Sequence, residues 1–395
     1  MNNRFVFAVQ GEGRGHLTQA IATYEMLIAR GHTVCAVLIG SSSRREIPAF
    51  VRERIKVPII TYRSPNFVTD KENKSIRIGR TIVKNMLLWR AYRKSMRLIR
   101  EAIAQYNPDL LLNFYEPLIG LSSVFKKLDT KIISIAHQFI YMHPEFQFPD
   151  EGNKSDAFAI KQYTKLIARG SDKLLALSFY PLNLSSYKKV LISPPLLRKE
   201  VFQQEVFEGD HILVYLLNSG YMQDIINWHK DHPEIALHCF TDSATVKGKW
   251  HFDETLCFHS LDDQKFLQYM AGAKALVTTA GFESVCEAMY FGKPVLMVPV
   301  KGHFEQWCNA RDGVKAGAGT HADSFNLDVL LDYMPQYKNN SEVFQQWSKQ
   351  TKHIMLQCFS DVLHQPMEEE IMEEKSTPFF QFHPMLSVNQ QLGHS

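Results

Sequence analysis

The first half of the chain alternates short apolar runs with amphipathic stretches. Apolar runs predict strands at 4–9, 33–39, 57–62, 109–114, 131–136 and 173–177. Three- and four-residue apolar spacing between them predicts helices at 16–30, 43–53, 76–105, 117–127, 155–169 and 181–187. Such alternation predicts a parallel, doubly wound sheet. Ser193-Pro194-Pro195-Leu196 breaks it, because two adjacent prolines exclude helix and central strand. The pattern then restarts with a strand at 210–217, a helix at 220–231, a strand at 235–241 and a helix at 263–271. Closing helices are predicted at 326–334 and 341–364. The expected fold class is α/β, with two Rossmann-like doubly wound domains, 1–195 and 196–365, around an interdomain cleft. Residues 366–395, with Glu368, Glu369, Glu370, Glu373 and Glu374 followed by a polar stretch, are expected to be a mobile tail.

Composition narrows this picture only a little. With 395 residues, 45% of them hydrophobic and 22% charged, the chain has the material for two cores. A formal net charge of +3 gives no overall bias towards polyanions. The apolar start at 5–9 is too short for a signal peptide, and no run approaches the ~18 apolar residues of a membrane span. The six cysteines form no CxxC pair, which points to reduced thiols in a cytoplasmic protein, with no metal site expected.

The most informative segment is 275–309. A short strand ends at Thr278-Thr279, Ala280-Gly281 turns, and 282–291 has helical spacing stopped by Gly292-Lys293-Pro294. A buried strand at 295–300 follows, then a polar loop carrying His303, Glu305, Gln306 and Asn309. Such a unit aims backbone N–H groups and a helix N-terminus at one point, which suits a phosphate. The order of residues resembles the donor-nucleotide motif of GT-B glycosyltransferases. The closest likeness is to the lipid-linked N-acetylglucosaminyltransferase of peptidoglycan synthesis and the UDP-glucuronosyltransferase-like group. The resemblance implies that Glu287 holds the ribose and that Glu305 and Gln306 hold the donor sugar. It implies that Ala280, Gly281, Phe282, Glu283 and Ser284 meet the diphosphate, with further hydrogen bonds from Asn218, Ser219 and Gly220. Phe266 either stacks on the base or belongs to the core.

The strand at the N-terminus opens into Gln10-Gly11-Glu12-Gly13-Arg14-Gly15-His16. Glycines let the backbone approach a ligand closely. In the resembling family this loop faces the acceptor, which puts Gly11, Gly13 and Gly15 on the acceptor side. It makes His16 a candidate base, since an imidazole with a pKa of about 6.5 suits proton abstraction. Relatives often orient such a histidine with an aspartate near the end of the fourth strand. Here that region reads Leu112-Asn113-Phe114-Tyr115-Glu116-Pro117, without aspartate. Glu116 is therefore either the replacement carboxylate, the base itself or a helix N-terminal carboxylate. His137 and Gln138, after the strand at 131–136, form a further pair at the cleft edge that either touches the acceptor or satisfies local backbone groups.

Between Ile76 and Arg100, Arg77, Arg80, Lys84, Arg90, Arg93, Lys94, Arg97 and Arg100 occur without an acidic residue. Apolar residues recur among them at helical steps, giving an amphipathic helix with a cationic face. It docks on an anionic membrane surface, steers an anionic acceptor, or covers the sheet with its cations solvated. No nucleic-acid partner is expected, for lack of a reading motif.

The expected function is transfer of a sugar from a nucleotide-diphosphate-sugar, UDP-sugar foremost, to a hydroxyl of a glycan, glycolipid or lipid-linked acceptor. This is chemistry of the kind that builds cell-envelope polysaccharide. The resembling enzymes invert, and no Asp-x-Asp is present, so an inverting reaction without metal or other cofactor is expected. The expected location is the cytoplasm or the inner face of its membrane. Alternatives are a non-hydrolysing sugar-nucleotide epimerase, a non-catalytic sugar-nucleotide or glycan-binding module, and an NADP-dependent reductase using the glycine loop with Arg44-Arg45.

Overall fold

The computed structural model describes residues 2–42, 47–66, 85–150, 154–183, 189–216, 219–243 and 245–366. In the first half, the elements run β1 (Arg4–Gln10), α1 (Arg14–Ala29), β2 (Thr33–Ser41), α2 (Ala49–Arg54), β3 (Ile59–Arg63), α3 (Trp89–Tyr106), β4 (Leu110–Phe114), α4 (Pro117–Phe125), β5 (Lys131–Ala136), α5 (Lys154–Ile167), β6 (Lys173–Leu177) and β7 (Val190–Ser193). In the second half they run β8 (His211–Leu216), α6 (Met222–Asp231), β9 (Ala236–Thr241), β10 (Lys249–His251), β11 (Leu256–Ser260), α7 (Asp263–Gly272), β12 (Ala275–Thr278), α8 (Phe282–Tyr290), β13 (Val295–Met297), α9 (Phe304–Lys315), β14 (Gly319–His321), α10 (Asp328–Tyr333), α11 (Ser341–Ser348) and α12 (Thr351–Leu363).

The strands form two sheets, ordered β3-β2-β1-β4-β5-β6-β7 and β10-β11-β9-β8-β12-β13-β14. Pairing is parallel among the described strands except for β10 on β11. Helices cover both faces, so central strands are buried on both sides and read as unbroken apolar runs: Phe5 to Val9 are all fully buried. Strand order reverses between β1 and β4 in one sheet and between β8 and β12 in the other. Ligand crevices form at such reversals, beyond the carboxyl ends of the strands.

Several expectations are corrected. The polar segment after β13 is a helix, α9, rather than a loop. Its buried positions are Gln306, Cys308, Asn309, Ala310, Asp312 and Gly313, a face of polar and small residues too weakly apolar to read as a helix. The strand expected at 295–300 ends at Met297, although Val298 and Val300 remain buried. The closing helix at 341–364 is two helices, α11 and α12. Short β7, β10, β11 and β14 carry too few residues for an apolar pattern. Residues 184–187 of the helix expected at 181–187, 43–46 of that at 43–53, 76–84 of that at 76–105 and the tail from 367 lie outside the described residues.

The boundary at Pro194-Pro195 falls between the sheets, but the chain does not stay with the second one. α12 returns to pack on β5, β6 and β7 of the first sheet, with Phe359 against Phe5 at 5.6 Å between ring centroids. Asn3 donates to Gln365 at 3.0 Å. The returning chain meets the outgoing one where Thr351 donates to the Pro195 carbonyl at 3.2 Å.

α3 packs Tyr92, Met96, Ile99 and Ile103 on the first sheet. Arg90, Arg93, Lys94 and Arg97 are exposed, while Arg100 donates to the Ser122 and Lys126 carbonyls at the end of α4. Met86 and Leu87 just before α3, with Trp89 and Phe125 beside it, are exposed at 72%, 78%, 38% and 63%. Arg77, Arg80 and Lys84 lie outside the described residues. Among the described residues, no helix is long and apolar enough to cross a membrane.

Candidate active site

The carboxyl ends of both sheets face a shared cleft of about 330 Å³. Two non-glycine residues on its walls hold left-handed backbone, Tyr115 after β4 (φ 56°) and Ala280 after β12 (φ 57°). Such a conformation costs about 1–3 kcal/mol and persists where surrounding contacts fix it. Asn309 fixes one turn by donating to the Ala280 carbonyl at 3.0 Å. The Tyr115 hydroxyl hydrogen-bonds Thr164 at 2.9 Å, and its ring lies 5.6 Å from that of His16.

The turn at Ala280-Gly281 starts α8 with its N-terminus on the cleft. Gly281 offers no capping side chain, so the first-turn N–H groups remain for a ligand. Ser284 bonds back to the Gly281 carbonyl at 3.2 Å. Glu283, in that first turn, accepts from Gln19 Nε2 at 2.6 Å across the domain interface. Burial pushes its carboxyl up to about 8, which disfavours a negative charge where an anion would bind. Phe282 stacks on His137 with centroids 4.0 Å apart. One turn further, Glu287 is 3% exposed and gripped by Arg198, with Nε at 2.6 Å and Nη2 at 3.1 Å. A carboxylate has about four lone-pair sites, so this fork leaves capacity for ligand hydroxyls.

Glu305 and Gln306 line the cleft from the first turn of α9. Gln306 Oε1 accepts from the Val300 N–H at 2.7 Å, leaving its NH₂ for a ligand. Glu305 accepts from Gln138 Nε2 at 2.9 Å, a second link between domains. Phe266 lines the cleft yet is 7% exposed and packs edge-on against Phe240, so it serves the core as well. Asn218 lies outside the described residues. Ser219 and Gly220 begin a 3₁₀ turn, and Gly220 is not on the cleft wall.

On the opposite wall stand Gly13, Gly15 and His16. A Cβ on Gly15 would come 3.2 Å from Glu283 Cγ, so this glycine lets α8 approach. His16 Nδ1 lies 3.3 Å from Gln19 Oε1. Desolvation lowers its pKa, partly countered by the Glu305 carboxylate and by Gln19. His137 donates from Nδ1 to the Leu177 carbonyl at 2.8 Å, and burial pushes it down to about 4, which keeps it neutral.

Two assignments are corrected. Gly11 is not on the cleft wall: its N–H bonds the Gly40 carbonyl at 2.7 Å, and a Cβ would strike Ile39 and Gly40 at 2.8 and 2.9 Å. Glu116 is fully buried and also off the wall. It caps α4, accepting from the Leu118 N–H at 3.1 Å and from Ser64 Oγ at 2.6 Å, and burial raises it to about 8. A carboxyl so enclosed is a structural cap rather than a base for a substrate.

Sequence reasoning missed Arg198, Gln19 and Tyr115, whereas Gln138, expected at the cleft edge beside His137, does line it. The signal for Gln19 was present, since His-x-x-Gln on a helix places both side chains on one face. Arg198 sits in an irregular linker, where no periodicity marks it. Away from the cleft wall, the structure also gathers His238, Cys257 and His259, with ligand atoms within 4.8 Å of one another. The two imidazoles satisfy each other at 3.1 Å, and after desolvation the Lys249 cation is the main influence opposing positive charge on His259. Arg44 and Arg45, the basis of the reductase alternative, lie outside the described residues.

Comparison with known proteins agrees with this geometry. The family described as glycosyl transferase family 1 matches residues 3–336. A protein of Methanosarcina acetivorans, described as an uncharacterized glycosyltransferase, is 24% identical over 339 residues, 80% of this chain and 82% of that protein. Among solved structures, the glycotransferase of kitacinnamycin superposes with a TM-score of 0.61 at 15% identity, covering 92% of this chain and 99% of its own. Arabidopsis thaliana UGT89C1 complexed with quercetin superposes with a TM-score of 0.59 at 13% identity, covering 92% and 100%.

Proposed function

Because the chain belongs to glycosyl transferase family 1 and is a glycosyltransferase of GT-B fold, we propose that it transfers a sugar from a nucleoside diphosphate to an acceptor hydroxyl with inversion. The donor is a UDP-sugar, and the acceptor a glycan, glycolipid or lipid-linked saccharide. The acceptor oxygen attacks the anomeric carbon as the bond to the diphosphate breaks, and His16 takes the acceptor's proton. Charge left on the diphosphate meets the N–H groups and dipole of α8, with no metal needed. Glu287 holds the ribose, and Glu305 and Gln306 the sugar. The Glu305 carboxylate favours the imidazolium that forms on His16.

The observation that carries this reading is the juxtaposition across the cleft. The uncapped N-terminus of α8 faces the wall that holds His16. Thermal shifts against UDP-, GDP-, dTDP- and CMP-sugars and NADPH, all in EDTA, test it. One sugar nucleotide is expected to raise the melting temperature. A shift with NADPH alone overturns the proposal.

The acceptor is reached at an anionic membrane surface. Exposed Met86, Leu87, Trp89 and Phe125 adjoin the exposed cations Arg90, Arg93, Lys94 and Arg97, so apolar insertion and charge attraction act together. Each cation near such a surface contributes about 1 kcal/mol. Charge reversal at Arg90, Arg93 and Arg97 is expected to abolish co-sedimentation with phosphatidylserine vesicles while leaving turnover of a water-soluble acceptor intact. Equal sedimentation of the variant would reduce α3 to sheet cover.

A further inference from the structure

The proposed base lacks the aspartate that relatives supply, and its neighbours show what replaces it. Asn113, at the expected place, donates to Ser134 Oγ at 3.1 Å and accepts from the Glu116 N–H at 2.8 Å, so its amide is engaged elsewhere. Glu116 is enclosed as a helix cap. The group that touches His16 is Gln19, one turn along α1. We infer that Gln19, held by Glu283 of the opposite domain, sets the tautomer of His16 and arms it as a base only when the two domains are docked. The inference rests on His16 being the base, as proposed above.

The argument follows from donors and acceptors. Gln19 Nε2 donates to Glu283 Oε1 at 2.6 Å, which places the NH₂ end of the amide on Glu283. The other end of the amide, Oε1, therefore faces His16 Nδ1 at 3.3 Å. An amide oxygen only accepts, so Nδ1 must carry the proton. The lone pair is then on Nε2, the nitrogen free to take a proton from an acceptor hydroxyl. The same bond favours the imidazolium once it forms. The charged groups acting on this chain are Glu305 on α9, towards His16, and Glu287 and Arg198, towards Glu283.

The chain of bonds crosses the cleft, since Gln19 belongs to α1 and Glu283 to α8. If the domains separate, Gln19 loses the partner that fixes its amide. The amide is then free to turn its NH₂ to Nδ1, which moves the proton of a neutral imidazole to Nε2 and leaves no base. Gln19 and Glu283 are thus positioning residues, and the base is competent only beside a docked donor helix.

Gln19→Leu, Gln19→Glu and His16→Ala, measured in the full chain, test this. Gln19→Leu is expected to lower kcat by about 10–100-fold, as loss of an orienting partner does, with the donor Kd unchanged. Gln19→Glu places a carboxylate on Nδ1–H and is expected to move the acid limb of the kcat/KM profile to higher pH by about one unit or more, as an opposite charge at contact does. A purely structural role for Gln19 would leave that limb in place, so an unmoved limb overturns the inference, and it decides even if Gln19→Leu lowers the melting temperature. Should His16→Ala retain full kcat, the base assignment itself fails. Loss of activity in His16→Ala with an unmoved limb in Gln19→Glu sinks the relay alone.

Discussion

His16→Ala lowers kcat by about 10²–10⁴-fold, the range expected on losing a general base, while donor binding is retained. The split follows from geometry. His16 stands on the α1 wall, and the donor groups stand across the cleft on α8 and α9. Removing the imidazole therefore deletes an interaction with the moving proton and none proposed for the nucleotide. The pH profile carries the same signature. Desolvation holds His16 below the ordinary value of about 6.5, so its neutral form persists at pH values where an exposed histidine is protonated. The acid limb of activity should therefore lie at lower pH than an unperturbed histidine would give. Single-turnover kinetics with a saturating donor, followed from pH 5 to 8, measure both. An acid limb unchanged in His16→Ala would place the base elsewhere.

Glu287→Ala has the other large effect, on stability and donor affinity together. Glu287 and Arg198 form a bidentate pair with side chains 4% and 12% exposed. Deleting one partner of such a pair leaves a buried cation unmatched, which costs about 3–5 kcal/mol. Donor KM should rise as well, through loss of the ribose contacts. The two consequences separate in a double variant. Arg198→Met with Glu287→Leu removes both charges and should recover most of the stability seen in urea melts. Donor affinity should stay low in it. If affinity returned with stability, Glu287 would be an anchor for Arg198 and nothing more.

How far the chain could be read depended on what each buried face is made of. β1 and the other central strands are apolar on both sides, so their positions were plain. The donor unit from β12 to α8 was equally plain, because Ala280-Gly281 and Gly292-Lys293-Pro294 punctuate it. α9 was hidden because Gln306, Asn309 and Asp312, polar residues that face the cleft and the domain interface, interrupt a buried face whose other members are the small Cys308, Ala310 and Gly313. Glu116 looked catalytic in sequence because a carboxylate at a strand end suits a cap as well as a base. Burial and its bonds to Ser64 and Leu118 decide for the cap. Arg198 and the Gln19–Glu283 bond join residues 89 and 264 positions apart, distances over which no periodicity carries information.

The return of α12 to the first sheet bears on how the protein is made. Met355, Phe359 and Val362 share a buried cluster with Leu175 and Leu177 of β6. Those strand residues leave the ribosome long before their cover does. At about 5–20 residues per second, roughly ten to forty seconds separate synthesis of β6 from that of α12. During that interval α1 covers β1, β2 and β4, but the apolar face of β5 to β7 lacks its helix, while the later-made domain, from β8 to α10, is completed with its own strands and helices. Order of completion is thus the reverse of order of synthesis. A nascent chain stalled before Thr351 is expected to be a client for chaperones even though its donor domain is whole.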